Sequence, residues 1–199
     1  MSKKLSTRHF ILAGLFILAA FSRIIPHPPN FTALGAMALF GGAYVSSRSL
    51  AIILPLGALW ISDLILNNLF YTEYYNGFVL FSSGHIWIYI SFIVIVIIGK
   101  STMKNVTMKS VGLSGISASV IFFLISNFGV WIGGMMYPVS LSGLISCYIA
   151  ALPFFGWTLV GNAFYCTMLF GGFEFANNKI SVLQARYSYN NLEPEIRIY

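Results

Sequence analysis

The stretch Arg23-Ile24-Ile25-Pro26-His27-Pro28-Pro29-Asn30 decides how this chain is read. Three prolines in four positions cannot continue a helix, because each lacks an N–H donor and crowds the turn before it. The chain therefore breaks here, between an apolar run ending at Ile25 and another starting at Phe31, and Arg23 falls in the last turn of a first helix. The same turn sets a guanidinium and an imidazole between two segments made of hydrocarbon. A charged group inside a hydrocarbon layer costs on the order of 2.5–3.5 kcal/mol, so Arg23 needs a partner from elsewhere in the chain.

The composition says what surrounds that turn. Of 199 residues 58% are hydrophobic and only 8% charged, and the mean hydropathy is +0.83. A water-soluble domain carries about 25% charged residues. This chain has too little polar matter to cover a surface facing water, and reads as one all-α, polytopic membrane domain over 1–199. A net charge of +6 alone would suit nucleic acid, but its placement points elsewhere. Lys3, Lys4, Arg8, Arg48, Lys100, Lys104, Lys109, Lys179, Arg186 and Arg197 fall at the ends and in every second connection, and Arg23 alone lies on the other side. That bias is the positive-inside pattern, which places both termini in the cytoplasm and the protein in the inner (cytoplasmic) membrane. The basic, then apolar, N-terminus lacks a small-residue cleavage site and reads as a retained helix rather than a signal peptide.

Six crossings are expected, at about 8–25, 31–45, 50–66, 85–99, 111–131 and 154–173. The second is rich in small residues, from Ala33 and Gly35 to Gly41, Gly42 and Ala43, which marks it as the most tightly packed. Thr32 or Asn30 is placed to cap it. Pro55 falls near the start of the third, where a missing donor matters least. The apolar run 143–172 is too long for one straight span, and Pro153 is expected to divide it into a short outer helix, 144–152, and the sixth crossing. The connection 69–84, with Phe70, Tyr71, Tyr74, Tyr75, Phe78 and Phe81, suits the headgroup level and a lid over a site beneath it.

Both ends inside puts three connections outside, and the polar residues of the crossings gather on that side. Arg23 has one plausible partner, Asp63, and Asn67 shares a helical face with it four positions on. The arrangement suggests a pocket open to the outside. Arg23 and His27 present donors there, with His27 exposed at the membrane edge. Asp63, Asn67 and Asn127 complete a polar wall, Asn162 lies deeper, and Trp131, Trp87 and Tyr137 offer flat apolar surface for a ring. A mostly apolar concavity with a few convergent polar groups is what a small-molecule site looks like. The bland alternative is an ion pair that pins two helices.

No enzyme is expected. Asp63 has no second carboxylate for paired acid–base work, and Ser22, Ser62 and Ser126 have no base at helical spacing. Cys147 and Cys166 match no metal spacing. His27, Asp63 and His85 form the only conceivable metal set, and nothing in their spacing supports one. Neither a metal nor another cofactor is therefore expected. No phosphate-binding or dinucleotide motif is present, so any energy coupling must come from a partner.

Arg23-Ile-Ile-Pro-His-Pro-Pro-Asn-Phe-Thr-Ala is followed by Ala36 and Ala38, by Pro55 and by Ser62-Asp63. Ser126-Asn127-Phe128-Gly129-Val130-Trp131, Tyr137-Pro138, Cys147-Tyr148, Ala151-Leu152-Pro153-Phe154-Phe155 and Gly161-Asn162 come after. This series, over about 10–172, resembles an uncharacterised family of six-helix bacterial membrane proteins. That family is related to the substrate-binding (S) components of energy-coupling-factor transporters. The resemblance implies a monomeric binding unit that captures a vitamin-like or metal substrate from the outer side. It would work against a transmembrane coupling protein driven by cytoplasmic ATPases. One departure is the Ala-x-x-x-Ala groove of the first helix in many such components. Here Ala13 is followed by Ile17, and Ala38 with Gly42 on the second helix is the nearest small pair. Two other classes fit the same residues beside transport. One is a structural or accessory subunit that docks through the small face of the second helix. The other is a membrane enzyme acting on a lipid or quinone through a lateral opening beside Asp63. Binding predicts spare hydrogen-bonding capacity around Arg23 and Asp63, and the accessory reading predicts that they satisfy each other in a filled core.

Overall fold

The structure, a computed structural model, describes residues 2–179. All of its regular elements are helical. They are α1 (Ser2–Phe21), α2 (Leu34–Tyr44), α3 (Arg48–Ile65), α4 (Ile86–Thr102), α5 (Met108–Ile132), α6 (Leu141–Cys166) and α7 (Gly172–Lys179). Three continuous helical stretches, Arg48–Phe70, Met108–Ile132 and Leu141–Lys179, are long and apolar enough to cross a membrane, and Phe10–Ile24, α2 and α4 are shorter apolar helices. The chain is an all-α, multi-pass membrane protein.

α1 ends where the prolines require. A 3-10 turn, Ser22–Ile24, follows it, and Ile25 is already extended at φ −70°, ψ 131°, the conformation imposed on a residue before proline. Arg23 thus sits in that tighter turn, just past the α-helix in which it was expected. Asn30 takes a left-handed φ of 65°, which asparagine tolerates better than most residues, and α2 then starts at Leu34. Its N-cap is Ala33, with no side-chain cap bond, so neither Thr32 nor Asn30 caps it.

Every residue of α2 is buried, and it packs against all five of α1, α3, α4, α5 and α6. Eleven residues make about 16 Å of helix, half of a hydrocarbon core of about 30 Å. A helix apolar on all sides belongs inside a bundle. Glycine lets it sit there. A Cβ on Gly42 would lie 2.4 Å from the Val96 carbonyl oxygen, and one on Gly99 would lie 2.8 Å from that of Leu39, so α2 and α4 meet backbone to backbone. On the α3 side, Pro55 leaves the Ala51 carbonyl without its helical donor, and that oxygen lies 2.9 Å from where a Gly41 Cβ would be. Pro55 is well inside α3, which begins at Arg48 with a Ser47 cap, and the freed carbonyl is turned toward a neighbour small enough to receive it. The small face of α2 is therefore used up within the fold and offers no surface to a partner. Below it, Phe40 and Tyr44 pack against Phe170 and Phe173.

The expected division at Pro153 does not occur. α6 runs unbroken from Leu141 to Cys166 and passes through a π turn, Thr167–Gly171, into α7. The physical reason is that α5 holds it on both sides of the proline. The Tyr148 hydroxyl donates to the Leu124 carbonyl at 2.6 Å and the Cys147 thiol to that of Asn127 at 3.5 Å, while Asn162 bonds Ser119 at 2.7 Å. A missing donor costs roughly 3 kcal/mol, less than separating two helices packed along their length. Similarly, α3 extends into a π turn, Leu66–Phe70. Asn68 there donates to the Leu64 and Val79 carbonyls and accepts from the Val79 N–H, tying down the aromatic connection.

Candidate functional site

The first polar cluster forms where the turn after α1, the end of α3 and the start of α4 meet. Arg23 Nη1 donates to Asp63 Oδ1 at 2.5 Å and to Ser62 Oγ at 2.7 Å. The Ser62 hydroxyl donates to the Leu59 carbonyl of its own helix at 2.8 Å, so its oxygen is oriented to accept from Arg23. The side chains of Arg23 and Asp63 are 16% and 8% exposed. Proline chemistry fixes the guanidinium here, since the break at Pro26 ends α1 beside the last turns of α3.

From α4, the Tyr89 hydroxyl donates to Asp63 Oδ2 at 3.4 Å, and from the 3-10 turn just before α4, Ser83–His85, His85 Nε2 stands 4.0 Å from the same oxygen. His85 Nδ1 is buried with no partner. Among the described residues, the Nε and Nη2 groups of Arg23 also have none. In the proline loop, His27 Nδ1 lies 3.0 Å from the Pro28 carbonyl oxygen and its Nε2 is buried and unpartnered. His27 is thus half-buried, rather than exposed at the membrane edge, because the loop folds back toward α6. A Cβ on Gly161 would lie 3.1 Å from the backbone at Phe31 and Thr32.

The other expected site residues have the following surroundings. Asn67 is buried one turn beyond Asp63. Asn127 Nδ2 donates to the Phe123 carbonyl of its own helix at 2.8 Å, and Trp131 Nε1 to that of Ser140 at 3.1 Å, closing the α5–α6 hairpin. Tyr137 is half-buried in that hairpin's connection. Trp87 is a helix contact: a Cβ on Gly129 would lie 2.2 Å from its ring, and it meets Phe128 edge to face at 5.2 Å. Asn162 is 3% exposed and belongs to a separate joint of α2, α5 and α6. The structure brings Arg23 and Asp63 together and adds Ser62, Tyr89 and His85. Of these added residues, Ser62 adjoins Asp63, and His85 and Tyr89 are four apart on one face; only the packing of α3 on α4 shows that this face meets the acid. No group of three metal-ligating side chains is present among the described residues.

The Asn162 joint yields a prediction. A Cβ on Gly35 would lie 2.4 Å from Asn162 Oδ1. Gly35→Ala should lower stability by about 1–3 kcal/mol, as overpacking does. Asn162→Ala should cost about 1 kcal/mol for its interhelical bond. The double variant should be more stable than the sum of the two, because the second change removes the clash. Thermal midpoints in detergent read the cycle, and strict additivity would refute the contact.

Residues 3–185 match the Family of unknown function (DUF6580). The chain belongs to this family. No curated protein and no solved structure matches it. Membership in DUF6580 covers nearly all of the described bundle, including the Arg23–Asp63 cluster, and carries no activity with it.

Proposed function

We propose that this chain is the substrate-binding membrane subunit of a small-molecule uptake system. In this reading the bundle has six segments with both termini cytoplasmic, arranged like the S component of an energy-coupling-factor transporter. Ligand arrives from the outer side at the Arg23–Asp63 cluster, with the connection 69–84 above it. A transmembrane coupling protein and its ATPases supply the energy.

One observation supports this reading above the others. The ion pair is not saturated by its surroundings. Two guanidinium nitrogens of Arg23 and a buried ring nitrogen on His85 have no partner among the described residues, nor does a buried ring nitrogen of His27 in the proline loop that follows Arg23. For the two ring nitrogens, which are buried, leaving a hydrogen bond unmade costs about 1–3 kcal/mol, and such a surplus persists where another molecule completes it. The spare groups are donors, or imidazoles able to donate, so they suit an acceptor-rich molecule such as a carboxylate or a ring carbonyl. An accessory subunit has no need of unfilled capacity at this depth.

The test is native mass spectrometry of the gently solubilised protein. The expected result is a co-purified small molecule of defined mass. Arg23→Lys keeps the charge but loses the planar fork, and retention should fall by about tenfold or more, equivalent to 1.4 kcal/mol. A wild-type protein carrying nothing, or a variant retaining the same molecule fully, would remove the reading.

A further inference from the structure

The end of the bundle away from Arg23 and Asp63 holds a concavity. A cavity of about 610 Å³ lies between the first half of α5 and the last turns of α6 with α7, within the range of about 300–1,000 Å³ usual for ligand sites. Its floor is made by buried Gly115, Asn162, Cys166 and Phe170. Its rim, at Gly112, Ile116, Ala163 and Thr167, is exposed. Those rim positions lie on the outward faces of two membrane-length helices, so the mouth opens sideways, toward lipid. Twelve residues separate Asn162 from Glu174, about 18 Å of helix. The cavity is therefore a groove running along the helix axis.

Its walls are apolar and its one charged lining residue among those described is Glu174. One Glu174 oxygen, Oε1, accepts from the Tyr44 hydroxyl, and the other has no partner among the described residues. At the same end, exposed Lys104 and Lys109 flank the rim residues Thr107 and Met108. The apolar slot is thus lined by one carboxylate, Glu174, with two exposed cations adjoining its lining residues in the chain.

We propose that this groove binds one acyl chain of an aminophospholipid, whose headgroup ammonium is held by Glu174 and whose phosphate lies toward Lys104, Lys109 and the start of α5. Each methylene buried contributes about as much as in other lipid anchors. The carboxylate supplies the selectivity, because a headgroup without an ammonium leaves it facing a phosphate. This site is independent of the outer cluster, and either can fail without the other.

The test uses the full chain in vesicles of equal phosphatidylethanolamine and phosphatidylglycerol, extracted into mild detergent and read by native mass spectrometry. The expected result is bound phosphatidylethanolamine in excess of phosphatidylglycerol by about tenfold, the size of one charge-assisted bond. Glu174→Gln keeps an acceptor for Tyr44 and should bring the ratio to about one. Gly112→Leu and Gly171→Leu fill the slot, and both lipids should be lost. A Cβ at either position meets nothing within 4 Å, so the bundle's own packing is not disturbed, which unchanged thermal midpoints verify. A wild-type ratio near one overturns the proposal, as does undiminished lipid on the two leucine variants. With dodecylammonium added to the same vesicles, protein that carries the amine and no phosphatidylethanolamine also overturns it, in favour of a free hydrophobic amine.

Discussion

Gly42→Leu should abolish the folded protein. The Cβ alone would lie 2.4 Å from the Val96 carbonyl oxygen and 2.7 Å from the Lys100 amide nitrogen. Both neighbours are backbone, so no rotamer change relieves the clash, and α2 must move away from α4. Moving α2 disturbs every interface it makes, because it is the helix around which the others are packed. Overpacking of a flexible site costs about 1–3 kcal/mol, and this rigid one should exceed that range, with Gly42→Ala already severe. Gly57→Ala is the control: its Cβ meets nothing within 4 Å, and replacing a mid-helix glycine should leave stability equal or raise it by up to about 1 kcal/mol. Yield from membranes and thermal unfolding in detergent separate the two. A folded Gly42→Leu protein with a wild-type midpoint would mean that α2 and α4 do not touch as described.

The second large effect is asymmetric loss of the ion pair. Asp63→Ala should destabilise by about 3–5 kcal/mol, since it leaves a mostly buried guanidinium uncompensated, with only Ser62 to receive it. Arg23→Met should cost less, because Asp63 keeps the Tyr89 hydroxyl and has His85 nearby. The double variant Arg23→Met, Asp63→Leu should recover to within about 1–2 kcal/mol of wild type, as apolar replacements of buried pairs often do. That variant is informative beyond stability: it removes the proposed donor and its partner while keeping the helices joined, so it should lose any co-purified ligand. Thermal midpoints for the four proteins complete the cycle. Equal, small losses for both single variants would mark an exposed pair of the kind that contributes less than about 1 kcal/mol.

Much of the arrangement was legible in residues 23–30. Three prolines had to end α1, and Arg23 beside them needed an acid, of which the crossings offered one. The small residues of 33–43 announced a helix that others approach closely, and burial of all of α2 follows from them. Pro153 leaves α6 undivided for a reason the chain does not display. A proline's cost is local and fixed, whereas what holds α6 straight across it is the contact with α5, made by residues 20 or more positions away in sequence. For Trp87, Asn127 and Trp131 the sequence leaves the surroundings open, because aromatic and amide groups serve a ligand or a helix joint equally well; here Trp87 covers Gly129 while the other two bond carbonyls of α5 and its hairpin.

What the sequence by itself determined is the class of molecule and the place of its break: a helical membrane protein with one arginine obliged to find one aspartate. These are decided by covalent facts, a missing N–H and the energy of a charge in hydrocarbon, which hold in any fold. Only the tertiary structure decided which polar groups remain unsatisfied around that pair, and that the opposite end carries an apolar groove with Glu174 at its mouth. Spare hydrogen-bonding capacity and empty volume are differences between what a side chain offers and what its neighbours take. Neither quantity exists until the neighbours are in place.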